Sequence, residues 1–373
     1  MLTQAVAAVP PRSQPGLEAP GGISFGEEGP DDASSGSDAP DALLRRRQIS
    51  GKRRKLLSRS SAPDGAGSYM DNGDLSLLEH LSVQPKSEKL YKEEIGVFRE
   101  WIHPTNVSKE KDSVVEDLVV RWLNRFFLQG HHFSKGEKFA AAFLFFHLQF
   151  GKKGKRDASR MWRALKGWKR KSPPRCRNPR TWPEVAGIAN EMVAAGFFMM
   201  AVWVLLCFGG YLRPSDAFRL RRQDFIPPVP GVGGRFWCLI LNTSEFEVVS
   251  KTGVSDERMI WDNVETQWMG PIFQAIREGG PPHELVFSFS YPELVQQFQL
   301  AVRRLQLPHM VPYQLRHSGP SWEKQHQRRS QIAILRRGRW RSLASLVRYE
   351  KGGMVMKEYM KLPEETRSFL ETC

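Results

Sequence analysis

The sequence has few cysteines and no obvious metal-binding cluster. Its four cysteines, Cys176, Cys207, Cys238 and Cys373, form no Cys-x-x-Cys pair, which argues against a disulfide scaffold and a structural zinc site. The N-terminus also lacks a charged segment followed by an apolar one, so no secretory signal is visible. We therefore expect a reduced, intracellular protein without structural zinc.

Acidic residues are also scarce relative to basic ones. The 373-residue chain has 40 Asp and Glu against 55 Lys and Arg, a formal net charge of +15. Such an excess of positive charge points to a polyanionic partner, with nucleic acid as the first candidate and an acidic membrane surface as the second.

One long uncharged run needs a separate explanation. Residues 192–212, "MVAAGFFMMAVWVLLCFGGYL", contain no charged residue and are numerous enough to cross a bilayer as a helix. The alternative is a buried core helix that the Gly209-Gly210 pair would end. The run continues directly into Arg213 and an amphipathic segment, which favours the core helix.

Residues 1–84 have the composition of a disordered tail. The first forty contain six Pro, six Gly and five Ser with few large apolar side chains, too few to bury the surface that ordering requires. Within the tail, residues 45–55 read "RRRQISGKRRK". This run is either a nuclear targeting signal or nucleic-acid arm, or only a solvated charge run. If the protein is eukaryotic, a nuclear location follows from the first alternative.

Residues 85–175 have the pattern of a helical domain. In "DLVVRWLNRFF" the apolar residues recur at helical spacing and predict one buried face, formed by Leu118, Val119, Trp122, Leu123, Phe126 and Phe127. Ser134 and Glu137 have the spacing of a capping box and predict the start of the next helix.

A strongly basic segment ends this domain. Between Gly151 and Arg180 there are thirteen Lys and Arg residues and one acid, Asp157, so we expect phosphate contacts there. In "DASRMWRALKGWKRK" an apolar side of Met161, Leu165 and Trp168 alternates with a basic side. The candidate DNA-binding residues are Arg163, Lys166, Lys169 and Arg170.

Residues 176–373 predict a second domain. It begins with the apolar helix, and "RFWCLILN" and "ERMIWD" then read as two strands on either side of a turn around "SKTG". After Pro308 the pattern is helical again. The predicted fold class is therefore mainly α with a small antiparallel β-sheet (α+β).

Four short motifs with candidate functional residues follow one another along this domain. The first, "GGYLRPSDAFRLRRQDFI" at 209–226, has an arginine after a buried helix, followed by Asp216, Leu220 and Asp224. The second is Lys251 in "VVSKTGVSDERMI". The third is "YQLRHS", 313–318, around Arg316. The fourth is "GRWRSLASLVRYEK", in which Trp340 precedes Tyr349 by nine residues.

Together these motifs resemble those of the tyrosine recombinase (phage integrase) family. The resemblance covers residues 182–362, and the helical segment before it matches the family's core-binding domain by position and helicity. It implies a two-domain clamp around double-stranded DNA, a covalent 3′-phosphotyrosyl intermediate without metal or nucleotide, and self-association on paired sites. One departure is Tyr313, which stands where the family usually has histidine.

The resemblance assigns chemically sensible roles to these residue types. A tyrosine phenol, here Tyr349, can attack a phosphodiester and later be displaced. The guanidinium groups of Arg213 and Arg316 would hold the phosphate oxygens in the charged transition state. The indole of Trp340 could donate one more hydrogen bond, and Lys251 could protonate the departing 5′ oxygen.

Each assignment has a structural alternative. Arg213 could simply pair with Asp216, and Trp340 could be a core residue. For Tyr313 we favour packing over a proton-relay role, and for His317 a role in orienting Arg316. Tyr359 is a rival nucleophile, disfavoured by its spacing from Trp340.

The sequence predicts a site-specific DNA recombinase or integrase, of mobile-element origin. There are two alternatives: a degenerate DNA-binding protein of the same fold that no longer cuts, suggested by Tyr313, and an enzyme similar to type IB topoisomerases, which shares the chemistry. A membrane protein is a third alternative that rests on residues 192–212 alone.

Overall fold

The structure is a computed structural model that divides into two compact units, residues 77–173 and residues 178–373 of the described chain. It describes residues 77–151, 154–173, 178–229, 231, 234–243, 245, 257–343, 346 and 352–373. The basic run at residues 45–55, Cys176, Lys251 and Tyr349 lie outside the described residues.

The first unit is helical. Its helices are α1 (Leu77–His80), α2 (Pro85–Ile102), α3 (Asp112–Leu128), α4 (Phe133–Phe146) and α5 (Ser159–Lys171), with a 3₁₀ turn at Leu148–Phe150. Helix α1 lies within residues 1–84, for which the composition predicts disorder. Residues 1–76 of that segment are outside the described chain.

An aromatic cluster forms the core of the first unit. The ring of Phe98 in α2 lies 5.8 Å from that of Trp122 in α3 and 5.1 Å from that of Phe139 in α4. The predicted apolar face of α3 is buried at Val119, Trp122, Leu123 and Phe126. Phe127 is 40% exposed, and its ring lies 5.9 Å from the ring of Trp168 in α5.

Helix α4 begins at a different cap from the one that the sequence predicts. His132 is the N-cap, and its imidazole accepts a hydrogen bond from the backbone N–H of Ser134. The capping-box interpretation of Ser134 and Glu137 was therefore wrong by two residues. An imidazole nitrogen can serve the same purpose as a hydroxyl, since the first N–H groups of a helix need only an acceptor.

The second unit is built from helices around a small sheet. Its helices are α6 (Trp182–Ala194), α7 (Phe198–Gly209), α8 (Pro214–Phe218), α9 (Gly270–Glu278), α10 (Tyr291–Arg304), α11 (Leu315–Gln325), α12 (Gln331–Gly338), α13 (Gly352–Tyr359) and α14 (Glu364–Thr372). Its 3₁₀ turns are Arg222–Asp224, Val264–Met269 and Pro312–Gln314.

Three strands form one antiparallel sheet in the order β1 (Phe225–Ile226), β2 (Cys238–Leu241) and β3 (Glu257–Ile260). Strands β2 and β3 pair with Cys238 opposite Ile260 and Leu241 opposite Glu257. The predicted fold class, mainly helical with a small antiparallel sheet, is confirmed.

The long apolar run is divided between two helices. Helix α6 ends at Ala194, Gly196 has a φ of +84°, and α7 begins at Phe198. Every residue of α7 from Met200 to Gly209 is buried. Within the described residues no helix is both long and apolar enough to span a membrane. The part of the run in α7 is therefore core, whereas residues 194–196 are exposed where the chain turns at a glycine with a left-handed backbone conformation.

Candidate functional site

Arg213 lies where the buried helix α7 gives way to the short helix α8. Tyr211 has a φ of +49° and turns the chain, and Arg213 is the extended N-cap before Pro214. The side chain of Arg213 is 13% exposed, and its Nη1 is 3.5 Å from Oδ2 of Asp216. Among the described residues, this buried Nη1 has no hydrogen-bond partner.

Arg316, near the start of α11, approaches the same turn from below the surface. The residue is 2% exposed. Its Nη1 donates to the carbonyl of Tyr211, and its Nη2 donates to the carbonyl of Gly338 over 2.7 Å. Its guanidinium carbon lies 5.1 Å from the ring centroid of Trp340. Arg316 therefore ties three separate segments of the chain together.

Trp340 packs between an arginine and a tyrosine. Its ring stacks on Tyr211 with centroids 6.2 Å apart and an angle of 27°, and it is 9% exposed. The guanidinium of Arg337 lies 5.5 Å from the Tyr211 ring. Contacts thus run in sequence through Arg337, Tyr211, Trp340 and Arg316, and each cation–ring pair is worth about 0.5–2 kcal/mol.

The turn also depends on a glycine. A Cβ on Gly338 would overlap the ring of Trp340, so only glycine lets the end of α12 approach the indole this closely. The same residue supplies the carbonyl that Arg316 binds.

Buried acids complete the network below Tyr211. The Tyr211 hydroxyl donates to Glu323, which also accepts a 2.8 Å hydrogen bond from Asn263 and pairs with Arg329. Burial, then the charge of Glu323, raises the pKa of Tyr211 well above its ordinary value. Tyr211 is therefore a neutral hydrogen-bond donor in a structural role.

Arg337 holds the end of α7 in place. Its Nε and Nη2 donate to the carbonyl of Gly209 over 2.9 and 2.7 Å, and its Nη1 donates to Oδ1 of Asp262 over 2.8 Å. Arg329 contacts the same carboxylate. These bonds satisfy carbonyl and carboxylate groups that would otherwise be buried without partners.

Sequence reasoning missed Arg339. Its Nη2 donates to Oδ2 of Asp216 over 2.9 Å, and its side chain is 7% exposed. Burial, opposed by Asp216 and reinforced by the charges of Arg316 and Arg213, lowers its pKa to about 10. The available signal was its position directly before Trp340 in "GRW".

The half-buried side chain of Tyr313 lies in the 3₁₀ turn before α11. Its ring centroid is 5.3 Å from that of His317, at an angle of 59°. Tyr313, three residues before Arg316, and His317, directly after it, thus contact each other.

Comparison with solved structures identifies the fold. The chain is similar to a lambda integrase (75–356) dimer bound to a COC′ core site, with a TM-score of 0.52, 14% identity, and coverage of 74% of this chain and 92% of that one. A Tn1549 transposon integrase bound to transposon right-end DNA gives a TM-score of 0.49, 11% identity, and coverage of 74% and 94%. No family model matches the sequence, and no curated protein does either.

The chain has a tyrosine recombinase-like fold. In this recombinase-like chain the described residues place Arg213, Arg316, Trp340 and Asp216 around the turn at Tyr211. Lys251 and Tyr349 lie outside the described residues, so their positions stay predictions. Leu346, three residues before Tyr349, is 2% exposed and packs in one cluster with Tyr211, Ile334 and Trp340.

Tyr359 lies in a different environment. It packs against the main core of the second unit, and its hydroxyl, although buried, has no hydrogen-bond partner among the described residues. Burial, followed by the charges of Glu371 and Glu184, raises its pKa above the ordinary value. A phenol that ionises less readily near two carboxylates is poorly suited to attack a phosphate.

The basic helix α5 has the predicted two sides. Met161, Leu165 and Trp168 are buried, while the four candidate DNA-binding residues Arg163, Lys166, Lys169 and Arg170 are exposed. Nζ of Lys169 lies 5.7 Å from the ring centroid of Phe133.

Two cations of the basic segment have structural roles instead. Arg156 donates to Asp112 over 2.5 Å and to the carbonyl of Val107 over 2.9 Å. Arg180 is 5% exposed and pairs with Glu184 over 3.1 Å. The prediction that the whole basic segment contacts phosphate is therefore wrong for these two side chains, whose guanidinium groups bond within the protein.

Within the described residues, no group of three or more His, Cys, Asp and Glu side chains is placed to hold a metal ion. The charged groups that converge at the site are guanidinium groups and carboxylates.

Proposed function

We propose that this protein is a site-specific DNA recombinase that cleaves and rejoins DNA strands, with Tyr349 as the nucleophile. A covalent 3′-phosphotyrosyl intermediate stores the energy of the broken phosphodiester. A 5′-hydroxyl then displaces the tyrosine, so the strand is rejoined without a nucleotide cofactor. The protein is of mobile-element origin.

The observation that carries the proposal is the convergence of Arg213 and Arg316 on the turn beside Trp340. Arg213 and Arg339 lie 3.5 and 2.9 Å from Oδ2 of Asp216, and Nε of Arg339 is 3.7 Å from Oε2 of the half-buried Glu257. Positive charge held in a mostly buried site is the feature that stabilises a phosphate gaining charge in its transition state. Arginine remains charged while it does so.

We assign the roles of Arg213 and Arg316 with the support of this geometry, and the role of Lys251 from the family resemblance alone. Arg213, whose side chain is 13% exposed and only loosely paired with Asp216, offers its guanidinium to a phosphate oxygen. Arg316 contributes charge and holds the carbonyls of Tyr211 and Gly338, so that it also fixes the turn that carries Trp340. Lys251 acts as the general acid for the departing 5′ oxygen.

Double-stranded DNA is the proposed substrate, gripped in part by helix α5. Its exposed cations would neutralise backbone phosphates without reading sequence. The similar lambda integrase structure is a dimer bound to a core site, which supports self-association of this chain on paired DNA sites. DNA as the substrate also supports a nuclear location in a eukaryotic cell.

A second candidate is a DNA-binding protein of the same fold that no longer cuts. Tyr313 in place of histidine favours it. So does the bonding of Arg316, because two of its donors are occupied by backbone carbonyls.

A suicide substrate distinguishes the two candidates. Nicked, radiolabelled duplexes carrying the protein's own target sites trap the intermediate, since the short fragment released by cleavage diffuses away. Label that stays with the protein under denaturing conditions supports the recombinase. Tight binding of the same duplexes without covalent label would overturn it in favour of the binding protein.

A further inference from the structure

Arg339 occupies a backbone conformation that favours glycine. It follows α12 with φ 58° and ψ 36°, and the backbone N–H of Trp340 bonds back to the carbonyl of Leu335 over 3.1 Å. This is a helix C-terminal turn in which glycine is the usual residue, because a Cβ strains the left-handed conformation. An arginine kept in such a position points to interactions of its side chain.

Those interactions centre on Asp216. Oδ2 of Asp216 is 2.9 Å from Nη2 of Arg339 and 3.5 Å from Nη1 of Arg213. Arg339 and Asp216 thus form a hydrogen bond, whereas Arg213 and Asp216 form a looser ion pair. Asp216 is 4% exposed, so its charge acts in a poorly hydrated environment where the choice of partner matters.

The cluster has donors to spare. It contains three guanidinium groups, of Arg213, Arg316 and Arg339, and two carboxylates, of Asp216 and Glu257. Among the described residues, Nη1 of Arg213 and both Nε and Nη1 of Arg339 are buried without a hydrogen-bond partner, although the first lies 3.5 Å from Asp216 and the second 3.7 Å from Glu257 as loose ion pairs. Buried donors of this kind are costly unless a ligand accepts from them.

We propose that Arg339 is a positioning residue that holds Asp216 away from Arg213 and so keeps the Arg213 guanidinium available for a phosphate oxygen. The inference rests on the proposed function, because a DNA phosphate is the anion that Arg213 would bind. Without Arg339, Asp216 is free to close on Arg213 as a tight charge-assisted pair. Arg213 would then be neutralised by its own neighbour in the sequence.

The test measures binding of inorganic phosphate to the full chain, by calorimetric titration at constant ionic strength. Arg339→Gly suits the turn and relieves its backbone, so the fold should survive. We expect it to weaken phosphate binding on the order of tenfold, the effect of one charged hydrogen bond. Arg336→Gln removes an exposed arginine of the same helix and should leave phosphate binding near the wild-type value.

A second variant separates positioning from a merely structural role. In Arg339→Gly with Asp216→Asn, no carboxylate remains to neutralise Arg213, so phosphate affinity should return to within about threefold of wild type. Asp216→Asn alone should bind phosphate at least as well as wild type. The proposal is overturned if Arg339→Gly binds normally, if the double variant is not restored, or if wild type shows no saturable binding.

Phosphate binding requires neither Tyr349 nor strand cleavage. A wild-type protein that binds phosphate as expected but forms no covalent DNA adduct would overturn the proposed function alone. An adduct formed by wild type and by Arg339→Gly at equal rates, with equal phosphate affinity, would overturn only the inference about Arg339.

Discussion

Nη2 of Arg339 donates a 2.9 Å hydrogen bond to Oδ2 of Asp216, while Nη1 of Arg213 is 3.5 Å from the same oxygen. Asp216 follows Arg213 by three residues, and the simplest interpretation of the sequence pairs those two. Because the structure gives Asp216 a nearer partner from a distant segment, Arg213 is only loosely neutralised. The site therefore keeps a net positive charge close to the turn at Tyr211.

The first prediction concerns the nucleophile. Tyr349→Phe removes one oxygen, so folding and DNA binding should persist while the covalent DNA adduct disappears. Tyr359→Phe is the matched control and should still form the adduct, since Tyr359 packs in the core with a raised pKa. Denaturing gels of labelled nicked substrate measure both. An adduct that survives in Tyr349→Phe, or that peptide digestion maps to Tyr359, would refute the assignment.

The second prediction separates the two arginines. Arg213→Ala should lose about 3 kcal/mol of transition-state stabilisation with little change in Tm, because Nη1 of Arg213 makes no hydrogen bond among the described residues. Arg316→Ala should also lower Tm, because it leaves the buried carbonyl of Gly338 unsatisfied at about 1–3 kcal/mol and leaves that of Tyr211 with only a long 3.4 Å hydrogen bond from Arg339. Cleavage rates and thermal unfolding, measured on both variants, check this. Equal Tm values would contradict the structural role of Arg316.

The third prediction concerns helix α5. Reversing the charges of Lys166, Lys169 and Arg170 should weaken DNA binding for all sequences and reduce the salt slope by about one unit per lost phosphate contact. Arg156→Gln should instead lower stability and leave the slope unchanged, since Arg156 bonds to Asp112 and Val107. Fluorescence anisotropy over a salt series measures the slopes. A wild-type slope in the triple variant would argue against this DNA contact.

The fourth prediction concerns the departure at Tyr313. Tyr313→Phe keeps the ring against His317, so we expect cleavage near the wild-type rate if Tyr313 only packs. A loss on the order of 10²-fold would instead identify its hydroxyl as a proton relay. Single-turnover cleavage rates across a pH range decide between them.

The fifth prediction concerns pH and His147 in the first unit. Burial, then the charges of Arg99 and Arg156, lowers the pKa of His147 from 6.5 to about 4. Because the unfolded chain binds a proton more readily, this contribution to stability is complete above pH 6.5 and is lost as the pH falls from 6.5 through 4. Between pH 6.5 and pH 4 the free energy of unfolding should therefore fall by up to about 3 kcal/mol more in wild type than in His147→Phe.

Thermal unfolding of wild type and His147→Phe at matched pH values measures the difference. The ring of His147 lies 4.8 Å from that of Phe143, so phenylalanine preserves the packing. Parallel stability curves for the two proteins between pH 7 and pH 4 would show that His147 does not titrate in this way.

Local patterns were sufficient for much of the fold. The spacing of apolar residues predicted the buried face of α3 and the two sides of α5, because a helix repeats its faces every 3.6 residues whatever surrounds it. The two strand-like runs were found from their side chains alone. The break between α6 and α7 was missed because every neighbour of Gly196 is compatible with a continuous helix, and packing decides where it turns.

The candidate site, like the fold, has features that the sequence indicated and features that only the tertiary structure decided. The resemblance of the four motifs to the tyrosine recombinase family implied that Arg213, Arg316 and Trp340 belong to one site, and the residue types are ones that can hold a phosphate. Only the tertiary structure decided that the buried Arg316 donates hydrogen bonds to two backbone carbonyls and that Arg339 binds Asp216. Such partnerships join segments far apart in the chain. Whether such a bond forms depends on differences of a few tenths of an ångström in the distance between two groups. Packing sets these distances, and no local pattern of residues encodes them.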